Sequence, residues 1–254
     1  MIVAKAEIGS CPDGVTKDQC ENLARTYMVA LLKNWQILSD YQLAWNDGRL
    51  SCFTSLSRRD SFKPEFSSEW GNEALSNLID AGFSQPVWTV LDNETEEELD
   101  GLQGSKALVL FTHFLDKQSP LMSIPVSCPI ALYTLLITDS EREDLYSWAS
   151  QYRSIDKIEM GTHEQQLLEH LHPFTNELFR QGQLLCSCIE QRLGVPTYLF
   201  IHLPSEAHSQ YNESATLDVC PGCRTPWDMQ KLTQTQPLFE YSCTACKLVS
   251  AANP

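Results

Sequence analysis

The chain has 254 residues, 43% of them hydrophobic and 20% charged, which suits a globular protein of one or two domains and excludes a disordered or fibrous one. Lys and Arg sum to 18 against 33 Asp and Glu, giving a formal net charge of -15, the wrong sign for unaided attraction to phosphate backbones or anionic lipid. The opening MIVAKAEIGS has no basic segment leading into an apolar one, and no window approaches the roughly 18 uninterrupted apolar residues of a membrane span; the expectation is a cytoplasmic protein with no membrane role.

In chain order, residues 1–8 alternate apolar and polar side chains like a strand. Thr16 or Asp18 can then cap a helix running to about Leu38, with Leu23, Tyr27, Ala30, Leu31 and Trp35 along its core face. Asn46-Asp47-Gly48 lies between two alternating runs and predicts a hairpin near 41–56, because glycine accepts the positive φ that a tight turn demands. A second helix is expected from Ser67 or Ser68 to about Ala81, stopped by Gly82 and followed by a strand at 86–91. Asp92, Glu94, Glu96, Glu97, Glu98 and Asp100 repel one another at close quarters, which places them in a solvated loop or helix start rather than around a metal.

Two apolar runs rich in β-branched and aromatic residues follow at 106–115 and 131–138, kept apart by Pro120, Pro125 and Pro129. Asp139 to Tyr152 reads as a helix capped by Asp139 or Ser140. A longer helical region, 162–193, is interrupted by Pro173 and stops at Gly194 before the strand PTYLFIHL. Strands and helices interleave without the strict alternation of a dinucleotide-binding fold, so residues 1–208 are expected to form one α/β or α+β body with a mixed or antiparallel sheet. The polar, aperiodic stretch SEAHSQYNESAT (205–216) supplies a linker, placed at 209–215. Residues 216–254 then form a small module with three basic side chains (Arg224, Lys231, Lys247) and three acidic ones (Asp218, Asp228, Glu240), so the whole excess of negative charge belongs to the body.

The ten cysteines are too sparse for a disulfide scaffold. Cys11, Cys20, Cys52 and Cys128 are scattered, and Cys186 and Cys188, two apart on a helix, cannot share a face and read as buried thiols. The last four differ. Cys220-Pro-Gly-Cys223 and Cys243-Thr-Ala-Cys246 are two CxxC units with 19 residues between them, the spacing of a structural zinc site. Each unit turns tightly enough to aim two sulfurs at one point, and four thiolates at tetrahedral positions suit one zinc ion, while iron would use the same ligands. Four cysteines leave no open coordination position, which argues for structure over catalysis. Trp227, Leu238, Phe239, Tyr241 and Leu248 are available as a minimal core, and so small a module needs the metal for most of its folding energy.

Catalytic signatures are scarce. There is no GxGxxG, P-loop or GxSxG, and the HEQQL beginning at His163 fails the HExxH pattern at Leu167. His170 and His172 point to different sides of a helix that Pro173 then breaks. The segments CPGCRTPW (220–227), FEYSCTACKLVS (239–250) and GVPTYLF (194–200) resemble a family of uncharacterised bacterial proteins described as zinc-ribbon-containing and conjectured to bind nucleic acid. The resemblance is clearest over the last 60 or so residues and implies a zinc ribbon at 216–254, although Arg224 and Lys247 stand where many ribbons carry glycine after the second cysteine of each knuckle. Nucleic-acid contact through the ribbon would fall to Arg224, Lys231 and Lys247 on phosphates and Trp227 on bases. The acidic body argues against it, so the expectation is a non-enzymatic zinc-ribbon binding or adaptor protein whose partner is a protein, with nucleic acid as the alternative and an enzyme with an unrecognised site in the body as the third reading.

Overall fold

In the computed structural model the described residues are 2–38, 41–91, 102–124, 128–161, 177–201, 219–228 and 239–251. They divide into two compact units: Met1–Gly101 with Lys117–Ser119 and Ala131–Tyr146, and Leu102–Asp116 with Pro120–Ile130 and Ser147–Pro254. The mixed α+β class expected from the sequence is what the strands and helices form.

The first unit runs β1 (Ile2–Ser10), α1 (Lys17–Lys33), β2 (Gln42–Asn46), β3 (Arg49–Leu56), α2 (Glu69–Asp80) and β4 (Val87–Val90). Its sheet has the order β2-β3-β1-β4 with every pairing antiparallel. That is the split βαβ arrangement of ferredoxin-like folds. Alternation decides the faces: Ile2, Ala4, Ala6 and Ile8 of β1 are buried with Leu50, Cys52 and Leu56 of β3 against Ala24, Met28 and Leu31 of α1 and Ala74 and Leu78 of α2. The hairpin between β2 and β3 turns on Asp47 and Gly48, both at positive φ (48° and 75°), as the Asn-Asp-Gly run predicts. Helix α1 opens on a reciprocal capping box between Thr16 and Gln19, and Ser68 caps α2.

Three expectations are corrected here. Helix α1 stops at Lys33 rather than near Leu38, because Trp35 takes a positive φ of 63° and Ile37 leaves to bridge Leu56. The apolar run at 131–138 makes one 3-10 turn, Leu132–Thr134, instead of an extended element. Helix α3 (Asp139–Gly161) is capped by Thr138, whose hydroxyl accepts from the Glu141 N–H at 3.2 Å while the Glu141 carboxylate accepts from the Thr138 N–H at 2.6 Å, and it continues nine residues past Tyr152.

The second unit carries a mixed sheet, β7-β6-β5-β8-β10-β9, built from β5 (Ala107–Leu110), β6 (Leu121–Ile124), β7 (Cys128–Pro129), β8 (Thr197–Phe200), β9 (Tyr241–Cys243) and β10 (Leu248–Ser250). Strand β8 is parallel to both neighbours, β5 and β10. Every residue of β5 and β8 is buried, which is why ALVL and TYLF read as continuous apolar runs rather than alternations. Helix α4 (Glu177–Leu193) lies on β8 at Gly182, where an added Cβ would come within 2.9 Å of Leu199 and 3.0 Å of the Trp148 ring nitrogen. The Trp148 N–H donates to the Leu178 carbonyl at 3.0 Å and ties α3 to α4. Phe111, Phe200 and Phe239 meet at ring-centre distances of 4.6 to 6.4 Å, so a residue of the C-terminal segment sits in this core beside Val109, Tyr198 and Val249.

The linker expected at 209–215, the acidic run 92–100, His163, His170, His172, Lys231 and Leu238 lie outside the described residues. No described helix is long and apolar enough to cross a membrane.

Candidate metal centre

The first CxxC begins where Val219 bridges Pro226, with the Cys220 N–H donating to the Thr225 carbonyl at 2.8 Å. The chain then reverses so tightly that the Arg224 N–H returns to the Cys220 carbonyl at 2.8 Å, and the Gly222 N–H points at the Cys220 Sγ at 3.4 Å. The second unit repeats the design: Cys243 ends β9, and the Cys246 N–H points at the Cys243 Sγ at 3.4 Å. Arg224 and Lys247, the residues after each second cysteine, take positive φ of 58° and 54°. They adopt the left-handed conformation that glycine supplies in many ribbons, so the absence of glycine costs local strain and leaves the two turns equivalent.

These turns bring the four Sγ atoms of Cys220, Cys223, Cys243 and Cys246 within 4.8 Å of one another, with Cys223 and Cys243 at 3.5 Å. A tetrahedral ion bound at about 2.3 Å requires sulfurs about 3.8 Å apart, so the cluster fits one metal ion of that kind. Cys220 and Cys243 are buried, with Cys223 and Cys246 nearer the surface. The Thr225 hydroxyl at 2.9 Å, with the Thr225 N–H, holds the Cys223 thiol down at about 6. Desolvation, with the neighbouring sulfurs adding to it, pushes Cys243 up to about 11 and Cys246 higher still.

Two supports were not legible in the motif. The Asp228 carboxylate accepts from the Thr244 hydroxyl at 2.9 Å and the Thr244 N–H at 3.3 Å, while its carbonyl accepts from the Ser242 hydroxyl at 2.7 Å, so one residue clamps the second turn to the first. Lys247 reaches away from the metal side chains to Glu190 of α4 at 2.9 Å and lies 5.3 Å over the Tyr198 ring. An acid 57 residues upstream in a helix gives no local signal of that contact.

Of the residues considered for nucleic acid, Arg224 is exposed, Lys247 is held by Glu190 and Tyr198, and Trp227 is 6% exposed with its ring 5.9 Å from Tyr241. Elsewhere the reading of two buried thiols holds for Cys186 alone: Cys188 is exposed, because residues two apart on a helix lie on different faces and only the Cys186 face meets the core. Cys11 and Cys20, which the sequence leaves scattered, are joined by a disulfide with their Cα atoms 6.3 Å apart.

Fold and site together define a mixed α+β protein with a C-terminal four-cysteine cluster able to hold a metal ion. Three family models match in succession, each described as a domain of unknown function: DUF8589 over residues 3–92, DUF2310 over 103–202 and DUF8594 over 209–253. No curated protein matches. Among solved structures, a chain from Deinococcus radiodurans described as an antibiotic biosynthesis monooxygenase aligns over 40% of this chain and all of its own, at 8% identity and a TM-score of 0.28, too low to carry any argument.

Proposed function

We propose that the quartet holds one structural zinc ion and that the ribbon it organises is the interaction module of a non-enzymatic binding protein whose partner is a protein. The observation that carries the zinc reading is the convergence of four sulfurs from two equivalent turns, a closed donor set that leaves no ligand position for water or substrate. Zinc is favoured over iron because a cation without redox chemistry suits a purely structural role.

What favours a protein over nucleic acid is the fate of the basic side chains. Lys247 is already neutralised by Glu190, and Trp227 is packed rather than presented. Four thiolates and one divalent ion add -2 to a chain that already carries -15. Such a charge repels a polyanion and draws a basic surface.

Elemental analysis of the purified chain is expected to return about one zinc per molecule, lost when Cys243→Ser and Cys246→Ser are combined; less than about a tenth of an equivalent, or full retention by the double variant, defeats the metal reading. Salt titration of binding to short DNA and RNA separates the partner classes. Sub-micromolar affinity at about 150 mM salt that weakens steeply with salt and is lost on neutralising Arg224 would install the nucleic-acid reading instead.

A further inference from the structure

The segment between β1 and α1 carries a device that the metal centre does not use. Cys11 lies half-buried just past the end of β1, Cys20 is fully buried in the first turn of α1, and most of the residues between them are exposed. Their Cα separation of 6.3 Å is within the range a disulfide spans without moving backbone. We propose that Cys11 and Cys20 are a reversible dithiol–disulfide pair, exchanging with low-molecular-weight disulfides of the glutathione class, that fixes or frees the segment between them.

Both states are already accommodated. The elements on either side do not need the bond: β1 is paired on both edges, and α1 is closed at its start by the Thr16–Gln19 box. The loop has contacts of its own, the Val15 N–H donating to the Pro12 carbonyl at 3.1 Å and Pro12 packing on Gly82 so closely that a Cβ there would meet it at 3.1 Å. A freed Cys11 thiol has an acceptor in place, the Val15 carbonyl 3.0 Å from its sulfur. The segment also forms one wall of a shallow groove of about 480 Å³, through Gly14, Val15 and Gln19 facing Asn22, Leu23 and Ala81, so opening the bond loosens that wall.

The chemistry runs in two balanced exchanges. A small-molecule thiolate attacks the half-buried Cys11 sulfur, the protein S–S bond breaks, and its electron pair leaves on the Cys20 sulfur, which takes up a proton from solvent and becomes a buried thiol. A second thiolate attacks the mixed disulfide on Cys11 and releases Cys11 thiolate with one small-molecule disulfide. Net, one protein disulfide and two small thiols become two protein thiols and one small disulfide, and oxidation is the reverse. Cys52 stands outside this exchange because it is buried and its thiol is pushed up to about 12 by desolvation.

The test equilibrates the full, metal-loaded chain anaerobically in glutathione buffers from fully reducing to fully oxidising, followed by acid quench, alkylation and peptide mass spectrometry. The expected result is a single transition between dithiol and the 11–20 disulfide whose midpoint moves when total glutathione is doubled at a fixed ratio, as an intramolecular bond requires. Cys20→Ser should accumulate glutathione on Cys11, whereas Cys11→Ser should leave Cys20 unmodified. Hydrogen exchange over residues 12–19 should quicken several-fold on reduction. A bond that survives the most reducing buffer for a day is a fixed staple and overturns the proposal; so does recovery of separate thiols or mixed disulfides at the oxidising end, and so does unchanged exchange.

Discussion

Gly222 shows how much of the four-cysteine cluster depends on a missing side chain. A Cβ at this position would lie 2.7 Å from the Cys246 sulfur and 3.3 Å from its Cβ, inside the opposite CxxC turn. Relief would have to come from moving a ligand. Gly222→Ala should therefore weaken metal binding at least about tenfold, or about 1.4 kcal/mol, in a chelator competition assay, with the four cysteines intact. The motif spacing makes the ligands legible because two CxxC units mean the same thing in many contexts. It conceals Asp228 and Glu190, since a lone acid acquires its role only when the fold brings Thr244 or Lys247 to it. Cys11 and Cys20 are hidden for the same reason: a nine-residue separation across a loop carries no geometry until β1 and α1 fix its ends.

The Glu190–Lys247 pair supplies a pH dependence with a definite sign. Desolvation raises the Glu190 carboxyl, but hydrogen bonds from the Lys247 ammonium at 2.9 Å and the Thr197 N–H at 3.2 Å outweigh it and hold the group below the usual carboxylate range. A carboxylate lowered in the folded state contributes stability above its unfolded pKa of about 4.3 and loses it as pH falls through the lower folded value. Both side chains are about a third exposed, 35% each, so the pair contributes under about 1 kcal/mol. Glu190→Gln should shift the denaturation midpoint down modestly at pH 7, and the difference from the parent chain should vanish toward pH 3. A difference that persists at pH 3 would assign the effect to packing rather than charge.

At the scale of the elements, Gly182 is what lets α4 approach β8. Glycine inside a helix costs about 1 kcal/mol relative to alanine, so its presence marks a place where contact outweighs propensity. Gly182→Val would force its side chain into Leu199 and Trp148 and should destabilise the second unit by about 2–3 kcal/mol in urea unfolding. Element existence was legible wherever period and caps agreed, as in the Asp47-Gly48 hairpin and α2 behind Ser68. It failed where one residue overrides a continuous pattern. Trp35 ends α1 inside an unbroken apolar stripe, and the run at 131–138 has strand composition but closes into a single turn.

At the scale of the whole chain, the sequence suggests one body followed by a ribbon, whereas contacts divide the body itself and the chain path crosses between the two units at 117–119 and 131–146. Local periodicity cannot report such a division, because it depends on which strands pair across long separations. The C-terminal segment is involved in one of those pairings: Leu248 and Val249 of β10 stand against Leu199 and Phe200 of β8, and β10 in turn pairs with β9, whose last residue is Cys243 of the quartet. An ion held by the quartet would therefore anchor a ladder that continues through the second sheet, while the first sheet shares no strand with it. Removing the ion should release β9 and β10 and strip β8 of its outer partner, including the bonds from the Leu199 and Ile201 N–H groups to the Lys247 and Val249 carbonyls, both at 2.9 Å. Hydrogen exchange of the chelated chain should accordingly show at least about tenfold faster exchange at Leu199 and Ile201, with β1 and β3 unchanged. If β8 keeps its protection when the metal is gone, the C-terminal segment folds and melts by itself, and limited proteolysis within 205–216 should leave an intact body.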